Sequence, residues 1–241
     1  MASTLATAYA PGKRIFYFRE VEHEPVIPFT DTILFQNDDL LVACKPHFLP
    51  VTPGGRYVHE CLLNRLRLRQ GIDDLTPLHR IDRETAGLVI FSVNKKTRSR
   101  YHELFARGKI EKTYFALCEL QRSPQENQWV VENRIIRDEP RFRRKTVPGI
   151  VNARSHIQFL EINRNRARFR LNPLTGKTHQ LRLHMSGLGF KIINDKLYPA
   201  LQAETEDDYN QPLQLLAKHL QFQDPVTGKH LQFSSERELL W

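Results

Sequence analysis

Apolar residues in this chain fall mostly into short alternating or continuous runs, and they predict more strands than helices. Thr32 to Phe35 and Leu40 to Cys44 flank the polar turn Asn37-Asp38-Asp39 and read as a β-hairpin. The apolar run Leu88-Val89-Ile90-Phe91 marks Leu88 to Val93 as a buried strand. Glu111 to Leu120 and Trp129 to Ile136 give two more strands. Ile157 to Ile162 and Ala167 to Leu171 enclose Asn163-Arg164-Asn165-Arg166 as a second hairpin. Leu213 to Phe222 and His230 to Phe233 supply late strands around Asp224-Pro225-Val226-Thr227-Gly228. Three segments have helical spacing. His59 to Arg69 places Leu62, Leu63 and Leu66 on one face, Lys95 to Arg107 runs from an Asn94 cap to a Gly108 stop, and Thr178 to Ser186 ends at Gly187. Strands in hairpins with few helices predict an α+β domain: a largely antiparallel mixed sheet with flanking helices. Ala203 to Asn210 reads as an acidic loop with no chemistry of its own.

A chain of 241 residues can bury a substantial core. Residues 31 to 241 read as one domain, preceded by a polar extension over residues 1 to 30 with Phe16, Tyr17 and Phe18 in it. No apolar run approaches the length of a membrane span, and the N-terminus lacks the charged and apolar regions of a signal peptide. A soluble, cytoplasmic protein is expected. Cys44, Cys61 and Cys118 are odd in number and lack metal or disulfide spacing, so they are expected to be small core residues and no metal site is expected.

Charge sharpens this picture. The formal balance is +9, which suits a polyanionic partner. Arginine dominates three groups: Arg65, Arg67 and Arg69; Arg134, Arg137, Arg141, Arg143 and Arg144 with Lys145; and Arg164, Arg166, Arg168 and Arg170. Its planar fork suits phosphates and bases, and a nucleic-acid surface is expected.

One stretch carries candidate chemistry. Pro77-Leu78-His79-Arg80-Ile81-Asp82-Arg83-Glu84-Thr85-Ala86-Gly87 sets the carboxylate of Asp82 among His79, Arg80 and Arg83, directly before a core strand. Neighbouring positive charge favours the ionised form, and such a carboxylate can serve as a nucleophile. A charged surface loop is the alternative that composition alone supports.

The string from His79 to Gly87 resembles the His-Arg-Leu-Asp-x-x-Thr-Ser-Gly signature of RluA-type pseudouridine synthases. Glu111-Lys112-Thr113-Tyr114-Phe115-Ala116-Leu117 is similar to that family's Lys-x-Tyr-x-Ala strand. Leu171 to His184, with Thr175-Gly176-Lys177-Thr178-His179-Gln180-Leu181-Arg182, is similar to its Thr-Gly-Arg-Thr-His-Gln-Leu-Arg block, and Lys45-Pro46 matches the opening hairpin. The resemblance covers roughly residues 31 to 235. It implies the pseudouridine synthase catalytic fold with a central RNA-binding cleft, and isomerisation of uridine in ribosomal or transfer RNA without a cofactor. It implies further that Asp82 is the nucleophile or stabiliser, that Arg182 pairs with it, and that Tyr114 stacks on the target base. Arg80 would fill the space of a flipped uridine, while His79, Lys177, His179 and Gln180 support the RNA contacts.

Three positions depart from the signature: Ile81 for leucine, Ala86 for serine and Lys177 for arginine. The extension is too short to be an S4 module, so the catalytic domain and the extension together are expected to recognise a small RNA stem-loop, as a monomer. The competing readings are a non-catalytic RNA-binding protein on the same scaffold and a basic component of a ribonucleoprotein particle.

Overall fold

The computed structural model describes residues 24–120 and 124–241. The aromatic stretch Phe16-Tyr17-Phe18 and most of the expected N-terminal extension lie outside the described residues. β1 (Thr32–Gln36) and β2 (Leu40–Lys45) form the first hairpin. Asn37 closes its turn by accepting the N–H groups of Asp39 and Leu40 at 3.0 and 2.7 Å. β2 pairs antiparallel with β4 (Ala86–Ser92), and both strands are buried along their whole length. Their apolar runs therefore serve two faces by simple alternation. Leu41, Ala43, Val89 and Phe91 join Leu62, Leu63 and Leu66 of α1 (Leu62–Gln70) in one core. Leu40, Val42, Leu88 and Ile90 join Tyr101 of α2 (Arg98–Ala106) in another. Each fully buried leucine or phenylalanine here contributes roughly 1.5–3 kcal/mol.

The middle of the sheet is made by β5 (Glu111–Glu119) and β10 (Leu215–Gln223), paired antiparallel. β10 shares its other edge between two partners. Leu216 and Ala217 run parallel to Ala86 and Gly87 of β4, and His219 to Gln223 pair with β11 (His230–Ser234). Outward from β5 the order is β9 (Arg166–Pro173), β8 (Ala153–Asn163), β6 (Gln128–Arg137) and β7 (Arg144–Val147). The two-residue β3 (Thr76–Pro77) lies on β4. A third core sits beneath α3 (Gln180–Gly187), where Leu181 and Met185 meet Ile157, Phe169 and Leu171. Each half of the sheet thus has its own helix-covered core. The halves meet at β10, beside the loop that carries Asp82. This is the α+β, largely antiparallel architecture read from the sequence.

The differences from the sequence reading have local causes. α1 begins at Leu62 and not His59, because the Glu24 carboxylate accepts the N–H groups of Val58, His59 and Glu60 at 2.7, 2.9 and 2.6 Å and holds them as a turn. α2 begins after Thr97, and Asn94 is not its cap. Asn94 Nδ2 and Thr97 Oγ1 both donate to Asp39 Oδ1, tying that turn to the first hairpin. β7 went unread because Arg144-Lys145-Thr146 offers no apolar alternation.

The group Arg65, Arg67 and Arg69 is not a phosphate surface. Arg65 binds Glu60 and the carbonyls of Ile27 and Phe29, Arg67 binds the Leu75 carbonyl, and Arg69 binds Asp31. The Arg65 and Arg69 contacts pack residues 27 to 31 against α1, and the Arg67 contact ties α1 to the segment that follows it. No helix among the described residues is long and apolar enough to cross a membrane.

Candidate active site

A cleft of about 510 Å³ opens where the two half-sheets meet, and every candidate named from the sequence lines it: His79, Arg80, Asp82, Tyr114, Lys177, His179, Gln180 and Arg182. Three elements supply them: the loop from β3 to β4, the middle of β5, and the turn into α3 with that helix's first residues; the end of α2 adds Phe105 and Ala106 to the wall.

The Asp82 loop is held from behind. The ammonium of Lys45, at the end of β2, is fully buried and donates to the carbonyls of Pro46, Leu49 and Arg83 at 2.9, 2.7 and 3.0 Å. His47 Nδ1 donates to the Glu84 carbonyl at 2.6 Å. Burial pulls the Lys45 pKa down to about 7, against the opposing charges of Glu84 and Asp82. Three carbonyl acceptors need three donor protons, so the geometry calls for the ammonium form. Lys45→Met keeps the length and strands those carbonyls, each at a cost of about 1–3 kcal/mol, partly offset by removing a buried charge. We expect a net loss near 2 kcal/mol, or roughly a 4–8 °C drop in Tm for a chain this size. An unchanged Tm in a thermal melt would show that Lys45 does not clamp the loop.

Asp82 is not ringed by its sequence neighbours. Arg80 is exposed on the rim and forms no ion pair among the described residues, and Arg83 turns away to Asp207 at 2.8 Å. The cation that faces Asp82 comes from α3. Arg182 is buried, with Nε and Nη2 donating to Asp195 Oδ2 and Oδ1 at 2.8 and 2.6 Å. Its remaining Nη1 lies 3.7 Å from Asp82 Oδ2 and 3.8 Å from Glu84 Oε2, and has no hydrogen-bond partner. The primary partner of Arg182 is therefore Asp195, with Asp82 beyond hydrogen-bond reach. A buried unsatisfied donor is costly and uncommon, and this one points at the cleft carboxylate. Burial works against the Arg182 charge, but Asp195, Asp82 and Glu84 outweigh it and hold the guanidinium above its ordinary pKa. Burial likewise opposes ionisation of Glu84, yet Arg83, Arg182 and Lys45 keep it below the usual carboxylate range.

His179 sits immediately before α3 with φ of +58°, a left-handed conformation uncommon for a residue with a side chain. Its Nε2 lies 4.0 Å from Asp82 Oδ1 and its Nδ1 shares a 3.0 Å hydrogen bond with the Tyr198 hydroxyl. Burial lowers its pKa, with Asp82 opposing. Tyr114 lies on the cleft floor, on the rung that pairs it with Ala217 of β10 and Leu171 of β9. Burial and the Asp82 charge push its phenol well above the ordinary value, so it is neutral.

Two candidates are absorbed by the framework. Gln180 is buried and fully bonded: Nε2 donates to the Arg154 carbonyl and Ser155 Oγ, each at 2.9 Å, while Oε1 accepts from Thr175 Oγ1 and Lys177 N–H. It shapes the turn that presents the exposed Lys177 and has no group left over for RNA. The ring of His79 stacks on Phe105 and accepts the Ile90 N–H at 3.1 Å. Burial lowers its pKa to about 3, and lowers those of His47 and His184 to about 4, so all three are neutral when folded. The unfolded chain takes up these protons near the ordinary value of about 6.5. Stability is therefore expected to fall steadily as pH drops from about 6.5 towards 4. Thermal melts across that range check this, and a flat profile would contradict it.

The sequence reading missed Asp195, Tyr198 and Asp207. Asp195 had one signal, a carboxylate just after the apolar pair Ile192-Ile193, which calls for a buried cation.

The family model described as RNA pseudouridylate synthase matches residues 39–187. The dual-specificity RNA pseudouridine synthase RluA of Pasteurella multocida is 31% identical, across 88% of this chain and 94% of its own. Human pseudouridylate synthase RPUSD2 is 32% identical across 73% of this chain, which spans about a third of that longer protein (32%). Among solved structures, human RNA pseudouridylate synthase domain containing 1 has the same fold, with a TM-score of 0.71, 22% identity, and coverage of 89% of this chain and 86% of that one. The family model spans the Asp82 loop, the Tyr114 strand and the Arg182 helix together, and this chain belongs to the RluA-type RNA pseudouridylate synthases, a family of isomerases.

Proposed function

We propose that this chain converts uridine to pseudouridine in a stem-loop of ribosomal or transfer RNA, with Asp82 as the reacting carboxylate. The observation that carries this reading is the pairing of a cleft carboxylate with an unpaired, buried Arg182 Nη1 3.7 Å away, beside the neutral ring of Tyr114. The uridine leaves its stack at a cost of a few kcal/mol, and the exposed Arg80 at the rim occupies the vacated place. Asp82 then either attacks ribose C1′ or supports a glycal route as the N1–C1′ bond breaks. Uracil stays in the cleft, turns against the flat face of Tyr114, and its C5 bonds to C1′. The hydrogen on C5 passes to solvent and N1 gains a proton, so no redox partner is consumed.

Lys177 and Arg80 meet the RNA backbone or bases at the rim, Arg182 orients Asp82, and His79 and Gln180 brace the walls. Both RNA classes are tested because the Pasteurella multocida relative is named a dual-specificity RNA pseudouridine synthase. A reducing, cytoplasmic compartment suits the three buried free cysteines, Cys44, Cys61 and Cys118. The test is incubation of the protein with unmodified transfer RNA and ribosomal RNA, followed by nucleoside mass spectrometry. Pseudouridine in either pool supports the reading and names the target class. Its absence from both, with RNA bound, favours a non-catalytic RNA-binding protein.

A further inference from the structure

Arg83 directly follows Asp82, yet its guanidinium is committed elsewhere. Nη1 and Nη2 donate to Asp207 Oδ2 and Oδ1 at 2.8 and 2.9 Å, a two-point ion pair. Nε donates to Glu84 Oε1 at 3.1 Å, and the group lies over the rings of Tyr57 and Phe48. The Tyr57 hydroxyl accepts from Arg83 Nη1 and donates to Asp207 Oδ2, and Arg56 Nη2 adds a 3.0 Å contact to the same oxygen. Asp207 belongs to the acidic segment between α3 and β10. That segment is anchored two residues later by Tyr209, which packs edge-on against Phe29 and Phe48.

Charges alternate along this line: Asp207, Arg83, Glu84, Arg182, then Asp82. Without Asp207, the carboxylates left to Arg83 within its own loop are Glu84 and Asp82. An arginine seated on Asp82 would cover its oxygens and stabilise the ground-state anion, lowering its reactivity. An arginine drawn wholly onto Glu84 would loosen that residue's hold on Arg182.

We propose that Asp207 is a positioning residue for Asp82: its ion pair with Arg83 keeps that guanidinium off the reacting carboxylate, leaving Arg182 Nη1 to face it. This rests on the assignment of Asp82 as the reacting group. The test compares Asp207→Ala, Arg83→Met and the double variant in single-turnover tritium release from uridine-labelled RNA, with RNA affinity and Tm measured on the same preparations. Asp207→Ala is expected to slow the step about tenfold while RNA Kd stays within about twofold. Arg83→Met is expected to cost less, and the double variant to regain the Arg83→Met rate, because the misplaced cation is gone. A double variant as slow as Asp207→Ala, or a weakened Kd at unchanged rate, would overturn the proposal. If Asp207→Ala does not fold, Asp207→Asn keeps the shape, removes the charge, and carries the same comparison. No release by the wild type would refute the isomerase assignment itself, and this role with it. Release at the wild-type rate by Asp207→Ala would refute only the role of Asp207.

Discussion

Asp82→Asn is expected to fold and bind RNA as the wild type does, and to lose at least about 10⁴-fold in turnover. The amide keeps the volume of the carboxylate, so the cleft keeps its shape. It has no negative charge to attack C1′ or to balance positive charge there as the base departs. Stability should change little, because Asp82 lies 3.7 Å from Arg182 and 4.0 Å from His179, outside hydrogen-bond range of both. Arg182 also retains Asp195 and Glu84 as counter-charges. A Tm within about 4 °C of wild type corresponds to roughly 1 kcal/mol. Filter binding should give an RNA Kd within about twofold. A large loss of affinity would mean that Asp82 holds RNA and does not react with it.

Gly87→Ala is expected to prevent folding or reduce it to a marginal population. Gly87 has φ of +112°, and a Cβ there would stand 2.2 Å from the Ala217 carbonyl oxygen and 2.8 Å from that residue's carbonyl carbon and nitrogen. All three are backbone atoms of the central strand, so no side chain can swing aside. The clash falls on the short parallel pairing that joins β4 to β10, through Ala86 with Leu216 and Gly87 with Ala217. Ala217 also pairs with Tyr114 on its other edge, so this rung sets the spacing between the Asp82 loop and the cleft floor. A cost above about 4 kcal/mol is a large part of the 5–15 kcal/mol that typically separates folded from unfolded chains. Circular dichroism should show no cooperative melt, or a Tm lowered by more than about 8 °C. A melt like that of the wild type would contradict the close approach of these strands.

Much of this was legible in the chain. Alternation located β1, β2, β5, β8, β9, β10 and β11 to within a few residues, because each has an apolar face to bury. β7 was not legible, since its arginines and lysine form a sheet edge by backbone pairing alone. The helix starts were misplaced for a reason sequence spacing cannot carry: Glu24 and Asp39 reach across the fold to claim N–H and side-chain groups at those turns. In the site, the ordered motifs brought together Asp82, Tyr114 and Arg182. The charge pattern around Asp82 was misread because adjacency in the chain is not adjacency in space. Arg83 faces away to Asp207, 124 residues distant, while Arg182 arrives from α3. The loop from Ala203 to Asn210, which looked chemically empty, supplies that partner. Gln180 and His79 matched the motif by type, but the Gln180 amide is consumed by the groups around it, and the His79 ring is held by Phe105 and the Ile90 N–H.

The central claim is most directly tested by tritium release from ribosomal and transfer RNA labelled at uridine C5, with wild type and Asp82→Asn side by side. Forming the C5–C1′ bond must expel the C5 hydrogen, so release reports the isomerisation itself. We expect release from at least one RNA pool by the wild type and none above background by Asp82→Asn. Equal release by both proteins, or release by neither while both are folded and bound to RNA, would contradict the assignment of Asp82 as the group that breaks the glycosidic bond.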